Sequence, residues 1–309
     1  MNKASTSKSL LNRAAVTGKE IMRWRISYLF IAPFMLIFLT FTVWPVIQSI
    51  FYSLTQFNML EPPKWIGFEN YKNLFLNDPI FPIATRNTLI FAAITGPVGY
   101  FMSLMLAWFV SELSPKIRAF LTLLFYAPTL CNIYMVWTLI FSGDENGFLN
   151  AYLIKMGIID GPIQWLTDTT YLVTCVIIVI LWSSMGTGFL AFVAGFQNVD
   201  LSLYEAGAVD GIKNRWQELW YITLPVMRPQ MLFSAVMSIT QSFGIGPAIT
   251  ALCGFPSTDY AAHTLMHHLT DYGTTRFQMG YACAIATLLF AMMLIINQLI
   301  HKLIAKVGE

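Results

Sequence analysis

Charge is what this chain has least of. Asp, Glu, Lys and Arg make up 11 % of its 309 residues, against roughly 25 % in soluble domains, while 56 % of residues are hydrophobic. Mean hydropathy is positive at +0.61. A chain so poor in charge cannot clothe a soluble globule, and it reads as an integral membrane protein. A net charge of +2, with no basic run interleaved with aromatics, excludes nucleic acid as a partner. Cysteine is scarce too: Cys131, Cys175, Cys253 and Cys283 lie in or at the edge of apolar runs, which is packing rather than a disulfide framework. The G-x-x-x-x-G-K-[ST] phosphate cradle is missing, Gly18-Lys19 being the nearest approach, so ATP hydrolysis belongs to another polypeptide.

What is there is a series of uncharged runs at about 26–52, 87–111, 119–142, 170–196, 230–252 and 277–300, each long enough for the roughly 20 residues of a membrane span. None contains Asp, Glu, Lys or Arg. Ion-coupled secondary transporters keep such groups at membrane depth, so that class is disfavoured. An intramembrane hydrolase would need a base there, and histidines and carboxylates are absent. The first run follows a basic tail, 1–25, and is too long for a cleavable leader, so it is expected to be a retained span, kinked at Pro33 and Pro45. Six spans put both termini on one side. Thirteen of the eighteen Lys and Arg fall in the tails and the even-numbered loops, and only Lys64, Lys72, Arg86, Lys155 and Arg276 lie in the others. The positive-inside rule therefore makes the termini, including the short tail 305–309, cytosolic. Trp65 and Trp165 stand where an interfacial aromatic belt or a partner contact would be.

Between the fourth and fifth runs lies one long charged segment, 200–229. Asp200 is placed to cap a short helix over 201–209, which Asp210-Gly211 ends in a tight turn. Ile212, Trp216, Leu219, Trp220 and Thr223 then recur at helical spacing, predicting a second helix that stops before Pro225. The product is a helix-turn-helix knob with small residues, Ala206, Gly207 and Ala208, on which another backbone could pack.

The order Glu205-Ala206-Gly207, Asp210-Gly211, Trp216 and Thr223-Leu224-Pro225 resembles the EAA loop of permease subunits in binding-protein-dependent ATP-binding-cassette importers, and most of all the carbohydrate-uptake branch. Gly207 stands where the motif usually has its second Ala, and Ile212-Lys213 lengthens the segment by one residue. The resemblance implies an all-α polytopic fold of six transmembrane helices over 26–304 with a cytosolic coupling loop. It implies no catalytic site and no cofactor, and coupling through Glu205, Ala206, Gly207, Asp210, Gly211, Trp216 and Pro225. The implied partners are a second homologous permease, two cytosolic ATPase subunits, an extracytoplasmic solute-binding protein, membrane lipid and a sugar substrate.

A sugar route needs hydroxyls, amides and aromatic faces around water. Ser184 and Thr187 fall on one helical face by i, i+3 spacing, as do Ser238, Gln241 and Ser242 by i, i+3 and i+4, and Asn132 with Tyr126 adds to them. The competing reading is that these hydroxyls bond their own helices. No cation stands in the spans to meet a phosphate, so a neutral sugar is expected, with glycerol phosphate or another small polar solute the alternative. His263, His267 and His268 have metal-like spacing but no fixed third ligand, and they are expected on a polar outer face, with no metal. A reporter fused near Lys213 should behave as cytosolic, and one near Asp160 or Asp271 as external. Finding Lys213 and Asp160 on one side would break the six-span arrangement.

Overall fold

The computed structural model describes residues 24–130 and 134–304. Asn132, Cys131, most of the basic tail and the tail 305–309 lie outside the described residues. Contacts divide the chain into two units, 1–52 and 53–309. The first is a single long helix, α1 (Arg25–Tyr52), none of whose described residues is buried. Pro33 sits inside its first α segment, and a π turn, Leu39–Val43, precedes Pro45. The helix is not broken at either proline, and the π turn just before Pro45 makes room for a ring that would otherwise strike the carbonyl one turn back.

The second unit is helical apart from a two-stranded hairpin, β1 (Thr55–Gln56) with β2 (Lys64–Trp65). Its helices are α2 (Glu69–Leu76), α3 (Phe81–Ser111), α4 (Pro115–Leu130), α5 (Tyr134–Ile140), α6 (Phe148–Lys155), α7 (Thr169–Trp182) and α8 (Thr187–Gln197). They continue as α9 (Leu201–Val209), α10 (Arg215–Val226), α11 (Arg228–Phe243), α12 (Gly246–Cys253), α13 (Leu265–Thr270) and α14 (Met279–Ile304). Four stretches, Arg25–Tyr52, Phe81–Ser111, Thr169–Gln197 and Met279–Ile304, are long and apolar enough to cross a membrane, or six if each of two bent helix pairs counts as one span. The protein is thus an all-α polytopic membrane protein, but three expected spans are not continuous rods. The third is α4 and α5, inclined at 82°. The fourth is interrupted at 183–186, and the fifth is α11 and α12, parted at Gly244 and Ile245. The second bent pair is the knob's α10 with α11, also inclined at 82°.

The trunk is α3, which contributes to all three buried apolar clusters. Phe91 packs with Leu172, Val176 and Ile249, Leu104 with Phe189, Phe192 and Met227, and Phe81 with Phe243, Leu265 and Ile285. Its 31 residues are about 46 Å long at 1.5 Å each.

At its Phe81 end the histidines are not on a polar face: His263, His267 and His268 are 3 %, 4 % and 1 % exposed. A capping exchange between Thr264 and His267 starts α13, and His267 Nε2 lies 3.1 Å from Thr250 Oγ1. The Asp78 side chain, 5 % exposed, meets His268 Nε2 at 2.8 Å, Tyr281 Oη at 2.8 Å and Tyr272 Oη at 3.2 Å. Burial works to raise the Asp78 carboxyl, but the bonds from Tyr281 and His268 outweigh it and hold the group below its ordinary value. Apolar spacing cannot reveal such packing, since the partner Asp78 lies 190 residues away. Trp165 donates to Asn150 Oδ1 at 2.8 Å, which anchors the loop after α6.

Burial pushes the His263 and His267 imidazoles down to about 4, which keeps them neutral. A base depressed on folding leaves stability intact above its unfolded value of 6.5 and drains it as pH falls from there toward 4. Thermal unfolding in detergent should show a midpoint flat above pH 7 that falls below pH about 6.5. Neither ring nitrogen of His263 has a hydrogen-bond partner among the described residues. His263→Phe should therefore keep the neutral-pH midpoint and make the acid limb shallower, with His267 supplying what remains of it. A large loss at neutral pH would show that the nitrogens are bonded.

Candidate functional site

The breaks in the fourth and fifth spans meet at one cavity of about 510 Å³, and the third span ends beside it at Thr129 and Tyr134. Its walls carry Ser184 from the 183–186 break and Ser238, Gln241 and Ser242 from one face of α11. Thr95, Thr129, Tyr134 and Ser183 join them, and no Asp, Glu, Lys or Arg lines it. Sequence spacing missed Thr95, Thr129 and Tyr134, because the two threonines look like isolated hydroxyls until the helices are folded together.

Ser184 and Thr187 do not share a helical face, contrary to their spacing. The helix ends at Trp182 and restarts at Thr187, so Ser184 lines the cavity from the break and Thr187 does not. Thr187 Oγ1 is instead buried and without a partner among the described residues.

The serines are committed in part. Ser184 donates to Leu181 O at 2.6 Å, Ser242 to Ile239 O at 2.9 Å and Ser238 across to Gly96 O at 2.8 Å. Their oxygens can still accept, although Ser242 is only 5 % exposed. Gln241 differs: it is exposed to the cavity and its amide has no hydrogen bond among the described residues. It lies over Gly186, where an added Cβ would stand 2.7 Å from its Nε2. A bare backbone at Gly186 is what gives the amide its place.

The knob is built as its caps dictate. Asp200 accepts from Ser202 N at 3.0 Å and starts α9. Gly211 turns the chain at φ +94° with nothing near its missing Cβ, so its role is conformational. The second helix differs from expectation at both ends. It begins at Arg215, because Asn214 accepts from Gln217 N at 2.9 Å and Gln217 accepts from Lys213 N at 2.8 Å. An Asn with Gln three residues on is a cap signal that the apolar spacing from Ile212 overshadowed. Nor does it stop before Pro225, since a π turn, Leu219–Thr223, admits the proline and the helix runs to Val226. The extra residue of that turn rotates the apolar face. Leu219 and Thr223 go inward, while Trp216 and Trp220 are 62 % and 66 % exposed.

The small-residue surface is also corrected. Gly207 is buried under the knob's own Ile222 and Ile212, whose Cδ1 atoms would stand 2.7 and 3.1 Å from an added Cβ, so no outside backbone reaches it. Ala206 and Ala208 stay exposed. Arg215 holds the knob to the Ser111 end of α3, bonding Glu218 at 2.7 Å and approaching Glu112 at 3.4 Å, while Trp216 meets Trp108 edge-on at 4.7 Å. Glu205 is exposed and has no hydrogen bond or ion pair among the described residues. A knob fixed by its own caps, with an exposed carboxylate and two exposed tryptophans, has the form of a docking piece.

An uncharged polar cavity between broken spans, joined to such a knob, defines a membrane-embedded transport subunit. The family description "Binding-protein-dependent transport system inner membrane component" matches residues 96–307, and the chain belongs to that family. It is 32 % identical over 282 residues to "Probable ABC transporter permease protein YesP" of Bacillus subtilis (strain 168), covering 89 % of each chain. It is 33 % identical over 241 residues to "Lactose transport system permease protein LacF" of Rhizobium radiobacter, covering 76 % of each. To "Arabinooligosaccharides transport system permease protein AraP" of Bacillus subtilis (strain 168) it is 31 % identical over 279 residues, covering 89 % of this chain and 87 % of that one. Among solved structures it matches a bacterial ABC transporter involved in import of the acidic polysaccharide alginate, with a TM-score of 0.76 and 23 % identity over 95 % of this chain and 99 % of that one. That last likeness bears on the fold alone.

Proposed function

We propose that the chain carries a neutral sugar, an oligosaccharide by preference, inward across the cytoplasmic membrane as half of an ATP-driven importer working by alternating access. The observation that carries this reading is the cavity: hydroxyls, one unpaired amide and the Tyr134 ring, without a single charge. Its volume lies within the roughly 300–1,000 Å³ of small-ligand sites. The names of relatives that carry lactose and arabinooligosaccharides point the same way. An acidic polysaccharide, as carried by the alginate transporter, or a glycerol phosphate would call for a cation in the wall.

Energy then enters at the knob, which faces the cytosol with both termini, and docks on a cytosolic ATPase through Glu205, Ala206, Trp216 and the turn at Asp210 and Gly211. Two such ATPases, a second homologous permease and an extracytoplasmic solute-binding protein complete the machine. A binding-protein complex is solved for the alginate transporter, which supports the last of these.

Gln241→Ala should lower uptake by the importer reconstituted with its binding protein about five- to tenfold, as loss of roughly 1 kcal/mol of hydrogen bonding implies. Ser184→Leu, which fills the cavity, should lower it further, and normal uptake by both would make these residues packing. Gly211→Val forces a β-branched residue to φ +94° and should strain the turn by about 1–3 kcal/mol. It and Glu205→Lys should insert and pair normally, yet lose co-purification with the ATPase and binding-protein-stimulated hydrolysis. Wild-type coupling in both variants would leave the knob an amphipathic helix pair on the membrane surface.

A further inference from the structure

Below the central cavity, toward the knob, lies a separate pocket of about 410 Å³ between α4 and α8. Along α4, Arg118, Thr122 and Tyr126 recur at i, i+4 and i+8 and line it, and Thr129, three residues on, lines the central cavity. A continuous polar stripe therefore links the two. From Thr129 to Arg118 the rise is about 16 Å, close to half of a hydrocarbon core about 30 Å thick. The pocket thus begins where the cavity ends and finishes at the membrane edge, beside the loop whose Glu112 meets the knob's Arg215 at 3.4 Å.

The opposite wall is α8, with Leu190, Val193 and Gln197. Two polar atoms at this pocket, Thr122 Oγ1 and Arg118 Nε, are buried without a partner among the described residues. Buried donors are nearly always met, so unpaired ones in the walls of a pocket mark a place for a polar guest. The set is the Thr122 hydroxyl, the Arg118 guanidinium, the Gln197 amide and a tyrosine ring over aliphatic side chains. One arm of the guanidinium donates to Leu113 O at 3.2 Å, and the amide donates to Val193 O at 3.2 Å while keeping its oxygen and second N–H for a guest. Those groups suit a pyranose, which offers hydroxyls at its rim and apolar ring faces.

We propose that this pocket is a second glycan site, occupied after the central cavity as the sugar leaves toward the knob side. The inference rests on the reading of the central cavity as a neutral-sugar site. Arg118 and Gln197 bind hydroxyls at the exit, Thr122 and Tyr126 bridge from the cavity, and the stripe on α4 is the path between. The chemistry sets this occupant above an anionic lipid headgroup, which would use Arg118 and the Thr122 hydroxyl but has no ring face to lay on Tyr126.

The test uses the complete importer in liposomes, with whichever of lactose, raffinose or maltotriose the parent protein takes up. In Thr122→Cys, a nearly isosteric change, a small cationic methanethiosulfonate reagent applied from the knob side should label the new thiol faster than the parent's cysteines, and saturating sugar should slow labelling. The labelled importer should lose uptake about tenfold while binding-protein-stimulated ATP hydrolysis stays within about twofold. Arg118→Leu, which removes the donors, should lower uptake several-fold, and Arg118→Gln, which keeps an amide donor, should lower it less; equal uptake by both would remove Arg118 from the site. No labelling, or labelling without effect on uptake, overturns the proposal. So does protection by phosphatidylglycerol but not by sugar, which would assign the pocket to a lipid headgroup. A parent importer that takes up phosphorylated or acidic solutes and none of the three sugars fails the reading of the central cavity itself.

Discussion

A peptide group in hydrocarbon must find its partner within the protein, and the structure between the knob and the histidine cluster depends on how that demand is met. Unbroken helices meet it alone. A span interrupted at membrane depth frees carbonyls and amides, and such a break survives only where side chains answer it or water reaches it. Here Thr129 answers the break in the fourth span, donating to Met185 O at 3.2 Å, while Ser234 and Ser238 donate to Gly188 O at 2.9 Å and Gly96 O at 2.8 Å and tie α11 to α8 and α3. The hydroxyls that look like a polar lining are thus partly structural. What is left over is the amide of Gln241, the acceptor capacity of the serines and the Tyr134 ring, and on the function proposed above this remainder is what meets a hydrogen-bonding solute.

The same economy of charge ties the two ends of the protein to one trunk. At one end of α3, Arg215 and Trp216 of the knob reach Glu112 and Trp108. At the other, Thr88 accepts from Leu265 N at 2.9 Å, and Asn87 donates to Tyr260 O and His263 O at 3.0 Å. His267, bonded to Thr250 of α12, carries that end to the cavity wall. Displacing the knob therefore loads α3, and α3 is packed against both halves of the fourth span. That is the physical route by which a docked motor could alter a cavity it never touches.

Much of this was legible in the chain. The scarcity of charge set the class, the Asp200 cap and Gly211 set the first half of the knob, and the face of Ser238, Gln241 and Ser242 survives in α11. What escaped was non-local or subtler than a period. Hydropathy runs straight through 183–186 and 244–245, because Ser, Met, Gly and Ile are apolar enough to hide an unwound turn. Pro45 and Pro225 look like breakers, yet each follows a π turn that spares it. The histidines look polar and external until Asp78, Thr250 and Phe255 are folded around them. Gly207 departs from the usual Ala because two isoleucines of the knob itself fill the space.

The central claim is that the solute is held where the broken spans meet. The most direct measurement is a high-resolution electron cryo-microscopy structure of the assembled importer, trapped with a transported neutral oligosaccharide midway across. The account predicts sugar density in the cavity, with a hydroxyl within hydrogen-bond distance of the Gln241 amide and a ring face against Tyr134. Sugar density elsewhere in the permease, with Gln241 paired to another side chain and the cavity closed by protein, would contradict it.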